Sequence, residues 1–517
     1  MSFAGRVGVA FQHSPGTVRA RLADNRGAFR RARPSSSMHK RSGRVATVLV
    51  ATVAFALFVG PGVVLAHEVG GSRFDAPLPL PALFAGAAAT VALTAGWLAV
   101  TDRTATRPER DLPTVGVPGG VVRVVHAVAS VGFLLGVLAV LWSGLTGRQV
   151  AAENVATLLT WLVWFHGLAL VSVLLGSPWR VLAPWLTFYR ALERLEGGAL
   201  PTLDYPERLG AWPALVGYLA LLGVVENLTP GITQSPRLTA VLVAAYAAVM
   251  VVGTTVFGRP WVDHADPLGV FYDLLGRVAP VAWGREGGDY RATLRPPWRG
   301  CVPPVADLAL AAVVVAAVYT VSFDGFVETP EFQTILFTTR DALGTGPVTS
   351  LPLYLLGFGL FCVTFVAAVV LADRLGGSER PARDDRAVAR TDGGSTWREA
   401  VRQFAPTVVP IAAAYEVAHT YPAVVTRTAT LLEVSLAPVA SVAVPDPLAW
   451  LSVPAFWGSQ VLLIVLGHVI AVVAAHLAAL ARYETPQLAR RGHLPLVVVM
   501  VGYTVLSLWI VSRPVVA

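Results

Sequence analysis

The sequence predicts an all-α fold, a polytopic helical membrane bundle of about ten transmembrane helices, and three observations predict it. Between His67 and the C-terminus at Ala517 lie ten long apolar segments, and 24 of the 30 arginines in that stretch fall in every second connecting loop. The 517-residue chain is 55% hydrophobic and only 14% charged, a balance that excludes an ordinary soluble domain.

The chain opens on a processing segment. Residues 1–37 are rich in Arg, Ser and Gly without an apolar period, and read as a leader that is disordered or untranslated. Met38 offers a second start: a basic run from His39 to Arg44, an apolar stretch over 45–60, the breaker Pro61-Gly62, then Val64 and Ala66 as the small residues a signal peptidase reads. Residues 38–66 therefore read as a signal peptide cleaved before His67, or as an uncleaved first helix that would make eleven. Residues 1–44 hold ten basic residues against one acidic, which more than accounts for the formal charge of +8. The remainder is nearly neutral, so no nucleic-acid partner is implied.

Residues 67–517 form the transmembrane domain. Its apolar segments are 81–100, 124–145, 155–175, 212–225, 238–257, 304–322, 351–372, 404–424, 455–480 and 494–511. Most approach the ~20 residues that a helix needs to cross ~30 Å of hydrocarbon. The fourth is short and opens on Trp212-Pro213, so it begins at the interface or enters tilted. The loops after the odd-numbered segments hold 4, 4, 6, 7 and 3 arginines; the other loops and both ends hold one each. Basic residues are retained in cytoplasmic loops, which places the arginine-rich loops inside and both mature ends outside a plasma membrane. The bilayer is the partner this implies, with a membrane partner subunit left open.

The inner loops carry a repeat. After the third segment come Pro178-Trp179, then Pro184 with Phe188-Tyr189 and Arg194; after the fifth come Pro260-Trp261, then Pro267 with Phe271-Tyr272 and Arg277. Trp and Tyr prefer the headgroup level and arginine snorkels from it. Each copy should form a short interfacial helix after a proline-marked exit, serving either as an anchor or as a gating or substrate-facing element, since internal repeats are common in transporters. Asp263-His264-Ala265-Asp266, inside the second copy, reads as a solvated turn. Cys301 and Cys362 lie at different depths and are not expected to pair.

Ionisable residues within hydrocarbon supply the remaining chemistry. Asp in a membrane helix costs ~2.5–3.5 kcal/mol on insertion scales, so such groups face a bundle interior, a cavity or a partner. His166 lies mid-way along the third segment, Glu416 and His419 share a face of the eighth, and His468 and His476 lie on the ninth. The Glu-x-x-His spacing is one that bundles use to hold a metal, and imidazole with carboxylate suits zinc, iron or copper. A divalent or copper ion is thus the candidate cofactor, for which the mature N-terminal His67 could also offer amine and imidazole. By distance from the outer helix ends, His419 and His468 differ in depth by roughly 10 Å, whereas His166 and His468 match. The third segment has no second histidine, which argues against a bis-histidine haem. His126, beside Arg123, reads as interfacial.

The chain resembles the multi-pass bacterial and archaeal membrane proteins called fenitrothion hydrolase or fenitrothion-hydrolase-like. The resemblance rests on Ala66-His67-Glu68-Val69-Gly70-Gly71 through Asp75, Pro178-Trp179-Arg180, Phe257-Gly258-Arg259-Pro260-Trp261, Asp266-Pro267-Leu268-Gly269-Val270-Phe271, Leu274 to Pro280, Ser322-Phe323-Asp324-Gly325-Phe326, Ala418-His419, and Gly467-His468-Val469 with Ala475-His476. It implies a polytopic helical fold and an association with organophosphate breakdown, with no catalytic residues to carry over. His67, His419, His468 and His476 fall on its pattern; His166 and His264 do not. Two function classes follow: a transporter or membrane component handling a small solute or metal ion, or a membrane-embedded hydrolase of apolar esters. A structural subunit is the plain alternative. No Gly-x-Ser-x-Gly, His-Glu-x-x-His or phosphate-binding loop occurs.

Overall fold

A computed structural model describes residues 79–101, 112–198, 200, 202–377, 395–437, 439–440 and 443–513. The leader, the signal-peptide segment and His67 lie outside the described residues.

All ten apolar segments are helical. They are α1 (Leu80–Thr101), α2 (Gly119–Thr146), α3 (Val155–Leu175), α6 (Trp212–Glu226), α7 (Pro236–Phe257), α10 (Leu308–Val327), α12 (Ser350–Gly376), α14 (Val409–Leu436), α15 (Val453–Arg482) and α16 (Pro486–Val511). Eight of these, all but α6 and α14, are long and apolar enough to cross a membrane by length and composition. Starts follow capping rules: Ser235, Asp307, Thr329, Ser452 and Thr485 each accept a hydrogen bond from a backbone N–H of the first turn, and most are followed by proline. Helix α10 is the most enclosed, with 67% of its apolar window buried against 17% for α1 and α2, so it forms the axis and those two the rim.

The repeats form α4 (Trp179–Leu182) with α5 (Pro184–Glu196), and α8 (Arg259–His264) with α9 (Pro267–Leu275). Each copy is two helices broken before its second proline, where the sequence predicted one. The copies also pack on each other instead of standing as separate anchors. Trp179, Trp185, Phe271 and Tyr272 are buried, and Phe188, Arg194 and Pro260 are the motif residues that are exposed. The centre of this contact is Asp266, which is fully buried, contrary to the expected solvated turn. Its Oδ2 accepts from the indole N–H of Trp179 (2.8 Å) and Trp185 (3.1 Å), and its Oδ1 accepts from Leu268 N and Gly269 N (both 3.1 Å) and from the Tyr246 hydroxyl. Burial pushes the Asp266 carboxyl up from its ordinary value, and these donors oppose the shift. The second copy thus supplies the acceptor and the first copy two of its donors. His264, by contrast, is half-buried and stacks on Tyr205.

A three-stranded antiparallel sheet lies at the same, arginine-rich end: β1 (Thr114–Val117), β2 (Val281–Glu286) and β3 (Asp289–Leu294), in the order β1-β3-β2. The β2–β3 turn is Gly287-Gly288, with Gly287 at φ 60°, the positive φ a tight hairpin demands. The ring of His126 meets Tyr290 of this sheet edge-on. Two further amphipathic helices, α11 (Pro330–Leu343) and α13 (Ser395–Phe404), were also not anticipated. Cys301 and Cys362 are unpaired.

Candidate functional site

Among the described residues, two helices of the bundle depart from α geometry, and each departure carries an ionisable side chain in its last two positions. Within α3, Leu158–Gly167 is wound as a π-helix that contains His166; within α6, Leu219–Glu226 is wound the same way and ends on Glu226. Such widened turns recur at functional sites because they re-aim side chains that an α-helix would place elsewhere. The surroundings account for both. Tyr272 OH donates to Trp164 O (2.8 Å) and lies 3.1 Å from Phe165 O, holding the carbonyls just before His166. Against the second segment lies the ring of Tyr354, so close that a Cβ on Gly223 would sit 1.8 Å from its hydroxyl.

These segments bring His166 between two carboxylates. Its Nε2 is 2.6 Å from Glu226 Oε1 and its Nδ1 is 2.7 Å from Glu416 Oε1. A neutral imidazole has one N–H, so bonding to both carboxylates requires either an imidazolium or a proton held by one carboxyl. The three residues therefore share at least one exchangeable proton. On the next turn of α14, His419 Nε2 lies 2.7 Å from Asp324 Oδ2 of α10. Glu328 caps the C-terminal end of α10, one turn beyond Asp324.

His166 and Glu416 of the first group and Asp324 and His419 of the second line one cavity of about 20 Å3, together with Tyr218, Leu222, Thr320, Val321 and Thr420. It has room for about one water. Side-chain exposure rises from 5% at Glu416 to 17% at His166, 34% at Asp324 and 41% at His419, so the site opens at the end away from the arginine-rich loops. The Tyr218 residue is fully buried, with its hydroxyl towards Thr320.

Of the residues singled out in the sequence, His166, Glu416 and His419 converge here. His468 does not: its Nδ1 is 2.8 Å from Ile464 O and its ring packs near Tyr503. The expected His166/His468 pair therefore does not form, because equal depth along two helices says nothing about facing direction. His166 points at α6 and α14, whereas His468 points at α16. His419 and His468 sit at different levels, since Tyr421 OH meets Ser459 while Gly467 packs on Pro410 and Ala414. His476 is buried and its ring lies 5.3 Å from that of His493. Among the described residues, no three His, Cys, Asp or Glu side chains form a group that could hold a metal ion.

Sequence reasoning missed Glu226 and Asp324, one and two residues past the predicted ends of their segments. The signal for Asp324 was Phe326-Val327, apolar residues that continue the helix beyond it. Helix α14 was likewise cut short: it runs on to Leu436, past Arg427. No protein-family model matches this chain, and no curated protein or solved structure is significantly similar to it.

Proposed function

We propose that the protein is a membrane transporter that moves protons, alone or with a small solute, through Glu226–His166–Glu416 and Asp324–His419. The observation that carries this reading is His166, which holds both ring nitrogens within 2.7 Å of carboxylates contributed by two other helices of an apolar bundle. A buried ion pair is weak support for stability and is often replaceable by apolar residues. Four ionisable groups lining one cavity, with Glu226 joined to them through His166, therefore argue for proton chemistry over packing. The arginine bias supports an orientation in which the Asp324–His419 end faces outside, so protons would enter there and pass inward to Glu416 and His166.

The resemblance to fenitrothion-hydrolase-like proteins supports a second reading, hydrolysis of an apolar ester. Against it, the cavity of about 20 Å3 is far smaller than the ~300 Å3 from which small-molecule sites begin. Cys301 is no better a nucleophile, since burial pushes its thiol up to about 12.

Purified protein reconstituted into liposomes with an internal pH dye tests the proposal. A potassium–valinomycin potential should drive proton entry above the protein-free rate, and Glu416→Gln should abolish it. Flux equal to empty liposomes would reject the reading.

A further inference from the structure

We propose that the cleft between the two Pro-Trp repeats binds the headgroup of one acidic phospholipid of the phosphatidylglycerol class, in which a phosphodiester is joined to free hydroxyls. The cleft shares no lining residue with the carboxylate–histidine cavity and the proposal does not depend on the transport reading.

Position comes first. Helix α7 ends at Phe257, Gly258 turns the chain at φ 68°, and Arg259 opens α8, so the cleft begins where a membrane-length helix stops. Tyr189 and Glu193 of α5 line it from the other repeat, and Thr202, Leu203 and Asp204 line it from the loop after α5. Its volume of about 290 Å3 approaches the ~300 Å3 from which small-molecule sites begin.

Charge is the second argument. Arg259 lines the cleft, is exposed, and makes no ion pair or hydrogen bond among the described residues. Arg190 of α5 lies close to both Arg259 and Arg194, whose charges add to burial in pushing its guanidinium down from its ordinary value. Arg180, by contrast, is paired with Asp263 at 3.4 Å and Asp273 at 3.2 Å. The three clustered arginines outnumber by one the two carboxylates of the cleft, Glu193 and Asp204. A phosphodiester carries the single negative charge that balances them, and the guanidinium fork matches phosphate oxygens. Basic pockets at the headgroup level are where acidic lipids bind.

The carboxylates select the rest of the headgroup. Glu193 takes the Tyr189 hydroxyl, whereas Asp204 makes no hydrogen bond or ion pair among the described residues. An ionised carboxylate only accepts, so it receives a glycerol hydroxyl and repels a serine carboxylate. The surroundings favour a lipid over free phosphate. Phe188 and Leu195, seven residues apart on one face of α5, are 44% and 83% exposed, and Leu203 on the cleft is 65% exposed. Acyl chains cover such an apolar rim, which free phosphate leaves in water.

The test uses the delipidated full chain in a nonionic detergent, with calorimetric titration and thermal unfolding. The probes are short-chain phosphatidylglycerol, phosphatidylserine and phosphatidylcholine, with inorganic phosphate and glycerol 3-phosphate as the water-soluble arm. Saturable binding and stabilisation by phosphatidylglycerol are expected, at least tenfold tighter than by the other lipids or by either soluble phosphate. Arg259→Gln and Arg194→Gln should each weaken that binding about tenfold. Both side chains are exposed, so the lipid-free unfolding midpoint should not move. Asp204→Asn should keep phosphatidylglycerol bound and erase most of its advantage over phosphatidylserine. No saturable binding, equal affinity for the three lipids, or unchanged affinity in both arginine variants would overturn the inference. Inorganic phosphate bound as tightly as the lipid would overturn it too, by showing a free-anion site.

Discussion

Tyr272 OH donates to the carbonyl of Trp164 at 2.8 Å, two residues before His166. The last aromatic of the second Pro-Trp repeat thereby fixes the π-helical turn that aims His166 at Glu226 and Glu416. An element that reads in the sequence as an interfacial anchor supports the intramembrane site.

Replacing this hydroxyl tests the link. Tyr272→Phe keeps the ring and removes one buried hydrogen bond, so stability should fall by about 0.5–1.5 kcal/mol. Proton flux should fall much further than that loss implies, because His166 loses its alignment. Unfolding midpoint and flux measured on one preparation separate the two effects.

Gly223 bears on the other carboxylate. A Cβ there would lie 1.8 Å from Tyr354 OH, and Tyr354 is fully buried with its carbonyl taken by Tyr319 OH at 2.6 Å. Gly223→Ala should therefore cost about 1–3 kcal/mol through overpacking and displace Glu226. Trimming the partner as well, with Tyr354→Phe, should restore part of the lost stability.

Asp266 holds the two repeats together through acceptors only. In Asp266→Asn the amide NH2 meets a site built of indole, hydroxyl and backbone donors, leaving buried groups unsatisfied at about 1–3 kcal/mol. Thermal unfolding in detergent should show the loss. A variant as stable as the parent would mean that the repeats are held by apolar packing alone.

Cys301 should be inert. Its thiol is fully buried and burial pushes it up to about 12, so almost no thiolate forms at neutral pH. Maleimide labelling of folded protein should leave Cys301 unmodified, while denatured protein should label fully.

How much of this was legible beforehand depends on the kind of signal. Apolar length located the ten segments that are helical, eight of them long and apolar enough to cross a membrane, because membrane insertion reads that same quantity. The deep residues His166, Glu416 and His419 stood out, since ionisable groups in hydrocarbon are conspicuous in any sequence. Glu226 and Asp324 did not, because each predicted segment was closed at the first charge it met. The pairing of His166 with Glu416 was out of reach for another reason: depth can be counted along a chain, but facing direction depends on the π-helical turns, and apolar runs such as Leu158–Gly167 look alike in either winding. The sheet was partly legible. Gly287-Gly288 marks the hairpin, whereas Thr114–Val117 joins it only through a contact far along the chain, including Gly119 N to Asp289 Oδ1 at 2.8 Å.

The most direct test of the central claim compares two histidines in one proton-flux assay. His166→Gln and His468→Gln both remove an imidazole from the bundle, yet only His166 joins two carboxylates at the cavity; His468 is bonded to its own helix at Ile464 O. In reconstituted liposomes, His166→Gln should bring proton flux to the protein-free rate while His468→Gln retains most of it. Retained flux in His166→Gln, or equal loss in both, would contradict a proton path through Glu226–His166–Glu416.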